Sequence, residues 1–208
     1  MKKLILSSIL AFSLATPALA QVQTTDITEM PAGLYQLDAS HATVLFKVRH
    51  MGFADYIGRF DKLAGEIDLN SDKVEESHVS ITIEAASIDT NNEVLEKKLK
   101  DADAFDVKKY PNITFEATDL EMQTETTGLM TGDLTMLGET HQVTFDVVFN
   151  GGGVHPMNSK NTMGFSATTT LDRTDWGLDN WVPMVSADVQ IEVHAEFNGA
   201  VTDRPFAK

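Results

Sequence analysis

From Val185 to Phe197 apolar and polar residues alternate without a miss. Val185, Ala187, Val189, Ile191, Val193, Ala195 and Phe197 hold one phase, and Ser186, Asp188, Gln190, Glu192, His194 and Glu196 hold the other. A period of two places successive side chains on opposite faces of an extended chain, so this run specifies a long strand with one face buried and one in water.

The same period recurs along the chain. It appears at Ala42, Val44, Phe46 and Val48, opposed by Thr43, Lys47 and Arg49 with Leu45 as the exception, and again at Val79, Ile81 and Ile83. It returns at Ile113, Phe115 and Ala117, at Met130, Leu134 and Met136, at Val143, Phe145, Val147 and Phe149, and at Met163, Phe165, Ala167 and Leu171. Between Ile57 and Leu69, Phe60 is out of phase with Leu63, Ile67 and Leu69, which calls for a bulge or bend near Asp61 and Lys62. Eight strands are expected in all. Asn70–Asp72, Gly138–Glu139 and Asn150–Gly153 carry turn chemistry and are expected as breaks. The stretch 92–104 departs from the pattern: Val94, Leu95, Lys98, Leu99 and Ala102 fall at helical spacing and predict one short amphipathic helix.

Alternating strands with no βαβ rhythm imply an antiparallel sheet, folded into a sandwich or closed on itself. Closure leaves no exposed edge, and eight strands enclose just enough space for side chains or one small ligand. The expected fold is all-β, an eight-stranded antiparallel lipocalin-like barrel with one short helical segment.

Residues 1–20 carry Lys2 and Lys3, the apolar run Leu4 to Leu14 and the small-residue close Ala18, Leu19, Ala20. They read as a cleavable signal peptide, too short to span a bilayer, and no later segment is long and apolar enough to do so. A periplasmic location is expected. The domain plan is a signal peptide at 1–20, a flexible lead-in at 21–33, a barrel at 34–200 and a tail at 201–208. The chain carries 31 acidic against 16 basic side chains, a formal charge of −15, and loses only Lys2 and Lys3 with the leader, leaving −17. Such a charge repels a phosphate backbone, so no nucleic-acid partner is expected. With no cysteine there is no disulfide, thiolate nucleophile, zinc-thiolate site or lipid-anchored cysteine. The polar phase of the strands also argues against an outer-membrane barrel, whose outward face is apolar with aromatic girdles.

Catalysis has no sequence signature here. The six histidines, His41, His50, His78, His141, His155 and His194, match no compact metal motif, and no metal or cofactor is expected. His50 shares the inward phase of Phe46 and Val48. It is either a core histidine satisfied by a backbone carbonyl or a polar handle for a ligand's head group. Arg173, Asp175 and Trp176 stand either at a barrel mouth or in a structural corner with an ion pair and a covering tryptophan. The inward Phe and Met residues serve as ordinary packing or as an adaptable slot for a long flexible chain.

The block Asp38, His41, Phe46, Val48, His50, Gly52, followed by Gly58, Phe60 and Gly65, resembles the D-x-x-H-S…F-x-V-x-H…G-x-F…G pattern of the YceI-like family of exported polyisoprenoid-binding proteins. Ala102 to Asp106, Tyr110–Pro111, Phe115, Gly132 to Leu134, Gly138 and Arg173 to Leu178 extend the resemblance from about Leu34 to Phe197. The chain departs from the pattern at Ala42, at Ala104 before Phe105, and at Leu95, Glu96, Lys98 and Leu99, where relatives commonly carry Arg-Asp and His-Leu.

The resemblance implies a periplasmic carrier, a homodimer, whose elongated apolar cavity holds an isoprenoid quinone, a prenyl phosphate or a fatty-acid-like lipid. The expected ligand-binding residues are Phe46, Val48, His50, Met51 and Phe60, then Leu99, Phe105, Phe115 and Met136, and finally Phe145, Phe165, Arg173 and Trp176. Lys98 could receive a phosphate or carboxylate. The alternatives are an accessory redox or modifying enzyme using His50 with Asp175 or Arg173, and an interaction protein with an occluded barrel.

Overall fold

The computed structural model describes residues 24–200; the signal peptide expected at 1–20 and the tail at 201–208 lie outside them. The strands are β1 (Gly33–His50), β2 (Ala54–Phe60), β3 (Leu63–Leu69), β4 (His78–Glu84) and β5 (Ile88–Asp89). After the helix α1 (Glu93–Lys100) come β6 (Asn112–Met122), β7 (Thr127–Met136), β8 (Glu139–Val154), β9 (Asn161–Asp172) and β10 (Val185–Gly199).

All pairings among these strands are antiparallel, and the order β1-β3-β4-β6-β7-β8-β9-β10 returns to β1, which closes an eight-stranded barrel. β2 and β5 are not additional walls. β3 pairs with residues 33–36 of β1 and β2 with residues 44–50 of the same edge, so the two are one wall strand broken at Asp61–Lys62, where the phase change was expected. β5 continues β4 beyond a bend at Ala85–Ser87 and pairs with β2.

β1 carries the largest irregularity. Leu37 faces Phe197 and Ala42 faces Ala195, so Asp38 to His41 bulge opposite Glu196 alone. The bulge lies where β1 changes partner from β3 to β2, and it moves the inward phase from Tyr35 and Leu37 to Val44 and Phe46. One carboxylate fastens it. Asp38 accepts from the Ser40 backbone N–H at 3.0 Å, the Ser40 hydroxyl at 2.6 Å and the Asn198 amide at 3.0 Å, with His41 Nδ1 at 3.1 Å. The Ser40 hydroxyl and then His41 hold the Asp38 carboxyl well below the usual carboxylate range, and Asp38 followed by Glu196 raises the His41 imidazole.

Three local expectations are corrected. Asn150–Gly153 is not a turn: β8 runs through it, with Gly151 opposite Gly164, and the chain reverses at residues 155–160. A Cβ on Gly152 would collide with the Met30 thioether, so this glycine serves close packing. The stretch 24–32, expected as part of a flexible lead-in, packs against the barrel. Thr24 and Gly152 exchange backbone hydrogen bonds at 3.1 and 2.9 Å, Asp26 caps a 3-10 turn at Ile27–Glu29, and Met30 is 1% exposed. The helix is also shorter than 92–104. Asn92 caps it by accepting from Leu95 N–H at 3.2 Å, Leu95 and Leu99 turn inward, and Val94 faces solvent.

The buried side chains form two clusters. One, around Phe60, Phe115, Phe145 and Leu134, lies toward α1; the other, around Met30, Tyr35, Phe149, Met163 and Phe197, packs toward the opposite end. Outward phases are mainly polar, with Ile57 and Val148 as exposed apolar exceptions. Lys47 meets Glu192 at 2.8 Å across the β1–β10 seam, and Lys47 followed by His194 holds the Glu192 carboxyl at about 2. Among the described residues no helix is long and apolar enough to cross a membrane.

Candidate ligand-binding cavity

The inward phases do not fill the barrel. They surround a cavity of about 780 Å³, within the range of small-molecule sites. It runs from Leu69, Val74 and Leu120, past Ile81, Phe115, Met130, Phe145, Phe165 and Ile191, to Phe46, Val48 and Leu99 beneath α1. Phe60 stands between Phe46 and Phe105, each ring centroid 5.9 Å away.

Polar groups line it only near its two ends. At the α1 end are His50, Tyr56, Thr90, Lys98, Arg173 and Asn180; at the other are Ser77, Glu121, Thr126 and Thr127. The α1 end is the mouth, since His50, Met51, Lys98, Trp181 and Met184 all line the cavity and are exposed, while at the far end Ile27, Leu69 and Val74 are buried and Glu121 is the one exposed lining residue among those described. The arrangement suits an elongated apolar molecule with a polar group at the mouth.

Twelve of the thirteen expected residues line this cavity. Phe60, Phe115, Met136 and Phe145 do so as buried wall residues. Leu99 reaches it from α1 and Phe105 from the segment after it. His50 differs from the core histidine considered above: it is exposed at the rim, its backbone carbonyl accepts from Phe53 N–H at 3.0 Å, and its imidazole has no hydrogen-bond partner among the described residues. Arg173 lines the mouth as part of a corner. Its guanidinium donates to the carbonyls of Ser186 at 2.9 Å, Asn180 at 2.9 Å, Val185 at 3.1 Å and Leu178, and no carboxylate lies within ion-pair distance among the described residues. Burial pushes its pKa down, opposed by Asp172 and Asp179.

Trp176 is the exception. It lies behind the wall, donating its indole N–H to the Leu134 carbonyl, with His141 against its ring at 4.9 Å. Of the two readings for this segment, the structure supports the corner with a covering tryptophan, built on carbonyls in place of an ion pair. Asp175 is exposed and outside the cavity.

Several lining residues were not expected. Ile83 and Leu171 follow the inward strand phases, so their signal was present in the periodicity, whereas Leu37 lies before the β1 bulge, in the opposite phase to Val44 and Phe46. Asn180, Trp181 and Met184 come from an aperiodic loop and had none. Asp38, His41 and Glu196 bring potential metal-ligating atoms within 4.8 Å of one another, but on the bulge, away from the cavity.

Comparison with known proteins agrees with this architecture. A family model described as YceI-like domain matches residues 35–197. A UPF0312 protein of Pseudomonas putida is 38% identical over 149 residues, covering 71% of this chain and 77% of its own. The crystal structure of the Campylobacter jejuni YCEI protein superposes with a TM-score of 0.66 at 27% identity, covering 73% of this chain and 90% of that one. A polyisoprenoid binding domain from Saccharophagus degradans, described as implicated in plant cell wall breakdown, shares the fold with a TM-score of 0.60 at 12% identity, over 82% of this chain and all of that one.

Proposed function

Since the chain belongs to the YceI-like family, we propose that it is a carrier holding one long-chain lipid, a polyisoprenoid such as a quinone or prenyl phosphate or a fatty-acid-like chain, inside its barrel. The observation that carries this reading is the long apolar cavity with polar side chains only near its ends. Each methylene buried there contributes roughly 0.8 kcal/mol before entropy and strain are counted. His50 and Lys98 at the mouth would orient the head group. The S. degradans neighbour, described as polyisoprenoid-binding, supports the ligand class. The leader-like residues 1–20 support a periplasmic site of action, and the family resemblance supports a homodimer.

Binding is favoured over chemistry. An enzymatic reading would pair His50 with Asp175 or Arg173, but Asp175 lies outside the cavity and the Arg173 guanidinium is committed to backbone carbonyls. Titration with a fluorescent polyene fatty acid, displaced by an isoprenoid quinone, tests the proposal. Saturable uptake of one probe per chain is expected; no uptake of any long-chain probe would overturn it.

A further inference from the structure

Among the described residues, six of the eleven exposed large apolar side chains crowd the mouth end: Met51, Phe53, Val94, Trp181, Val182 and Met184. Phe53, at the β1–β2 turn, is 83% exposed and Val94, on α1, 70%. The segments that carry them are tied together. Met51 N–H donates to the Met184 carbonyl at 2.6 Å, and the Asn180 side chain donates to the Asp103 carbonyl in the segment after α1. Met51, Trp181 and Met184 also line the cavity, so its apolar surface continues over the rim onto the outside.

Two further observations say what this rim meets. Trp181 has a φ of +66°, an outlier for so bulky a residue, and such strain collects where the surrounding structure imposes it at functional sites. The strained residue is an exposed tryptophan, the side chain most suited to the boundary between water and hydrocarbon. Charge is the second. Residues 93–109, which flank the mouth, carry five lysines against five carboxylates, a neutral balance in a chain of −15. Zwitterionic head groups would meet no concentrated negative field from this segment.

We propose that the mouth rim docks on a zwitterionic lipid bilayer, so that a chain passes between membrane and cavity without being exposed to water. This rests on the reading of the cavity as a lipid site. Bilayer insertion scales with buried apolar area, and the rim supplies that area in a ring around the entry it would serve.

The test uses phosphatidylcholine vesicles with brominated acyl chains, which quench an indole that enters the bilayer. The protein has two tryptophans, Trp176 at 3% exposure and Trp181 at 42%, so the response comes from Trp181; because Trp181 also lines the cavity, co-sedimentation of the protein with the vesicles must accompany the quenching for it to report the rim. Quenching with a blue shift is expected, and it should persist in about 1 M salt, where the Debye length is about 3 Å. The double variant Phe53→Ser, Val94→Ser should weaken vesicle affinity by about tenfold or more, in keeping with the apolar area removed. Neither residue lines the cavity, so uptake of a soluble probe without vesicles should be unchanged. Absent quenching with intact probe uptake would overturn the docking and leave the carrier reading in place. Quenching without probe uptake would do the reverse. Loss of quenching in salt would reassign the contact to the lysines, and a dimer broken by the double variant, with no vesicle response, would assign the rim to a second copy. Either result would overturn the proposal.

Discussion

Trp176 donates its indole N–H to the Leu134 carbonyl at 3.1 Å, and the Leu134 side chain lines the cavity on the other side of that wall. The tryptophan therefore braces the strand from behind and touches no ligand. Trp176→Phe is expected to cost about 0.5–1.5 kcal/mol for the lost hydrogen bond, and Trp176→Ala about 3–5 kcal/mol. Denaturant midpoints measure both, and lipid affinity per folded molecule should not change.

Filling the cavity should separate binding from stability. Val193 is a partly buried lining residue on β10. Overpacking costs about 1–3 kcal/mol in a well-packed core, but here a larger side chain enters open space. Val193→Trp should lower the capacity for long-chain probes, measured by titration, while Tm stays level or rises.

The bulge predicts a pH dependence. Because the folded His41 imidazole has a raised pKa, its stabilisation is full below the unfolded value of about 6.5 and is lost as pH rises through the folded value. Asp38 has a depressed pKa, so its contribution is present above about 3.9 and is lost as pH falls toward the folded value. The Tm difference between wild type and His41→Gln should be larger at about pH 5.5 than at about pH 8.5.

The β7–β8 turn makes a separate prediction. Leu137 and Gly138 have φ of 55° and 83°, the signs a two-residue type I′ hairpin requires. A Cβ on Gly138 would also lie 2.8 Å from Tyr110 Cε1. Gly138→Ala should destabilise by about 1–3 kcal/mol through backbone strain and crowding, read from chemical unfolding curves.

The elements legible in the sequence are those decided locally. The alternation from Val185 to Phe197 becomes β10, and the phase slip after Phe60 becomes the β2–β3 break. What could not be read depends on partners distant in the chain. Asn150–Gly153 has turn composition, yet Gly152 admits Met30, some 120 residues earlier, against the sheet. Period two ends at Ala42 because the bulge shifts the phase, which hid the first third of β1. Trp176 stood between a mouth and a covering corner because sequence order does not tell which side of a wall a loop covers. The loop residues Trp181 and Met184 have no periodicity at all, and only closure of the barrel brings them beside α1.

The most direct measurement is organic extraction of the purified protein followed by mass spectrometry of what comes out. An isoprenoid or other long-chain lipid in near-stoichiometric amount, displaced by a competing quinone, is the expected result. Protein that carries no lipid and takes none up from a saturating mixture of isoprenoid and fatty-acid chains would contradict the carrier account.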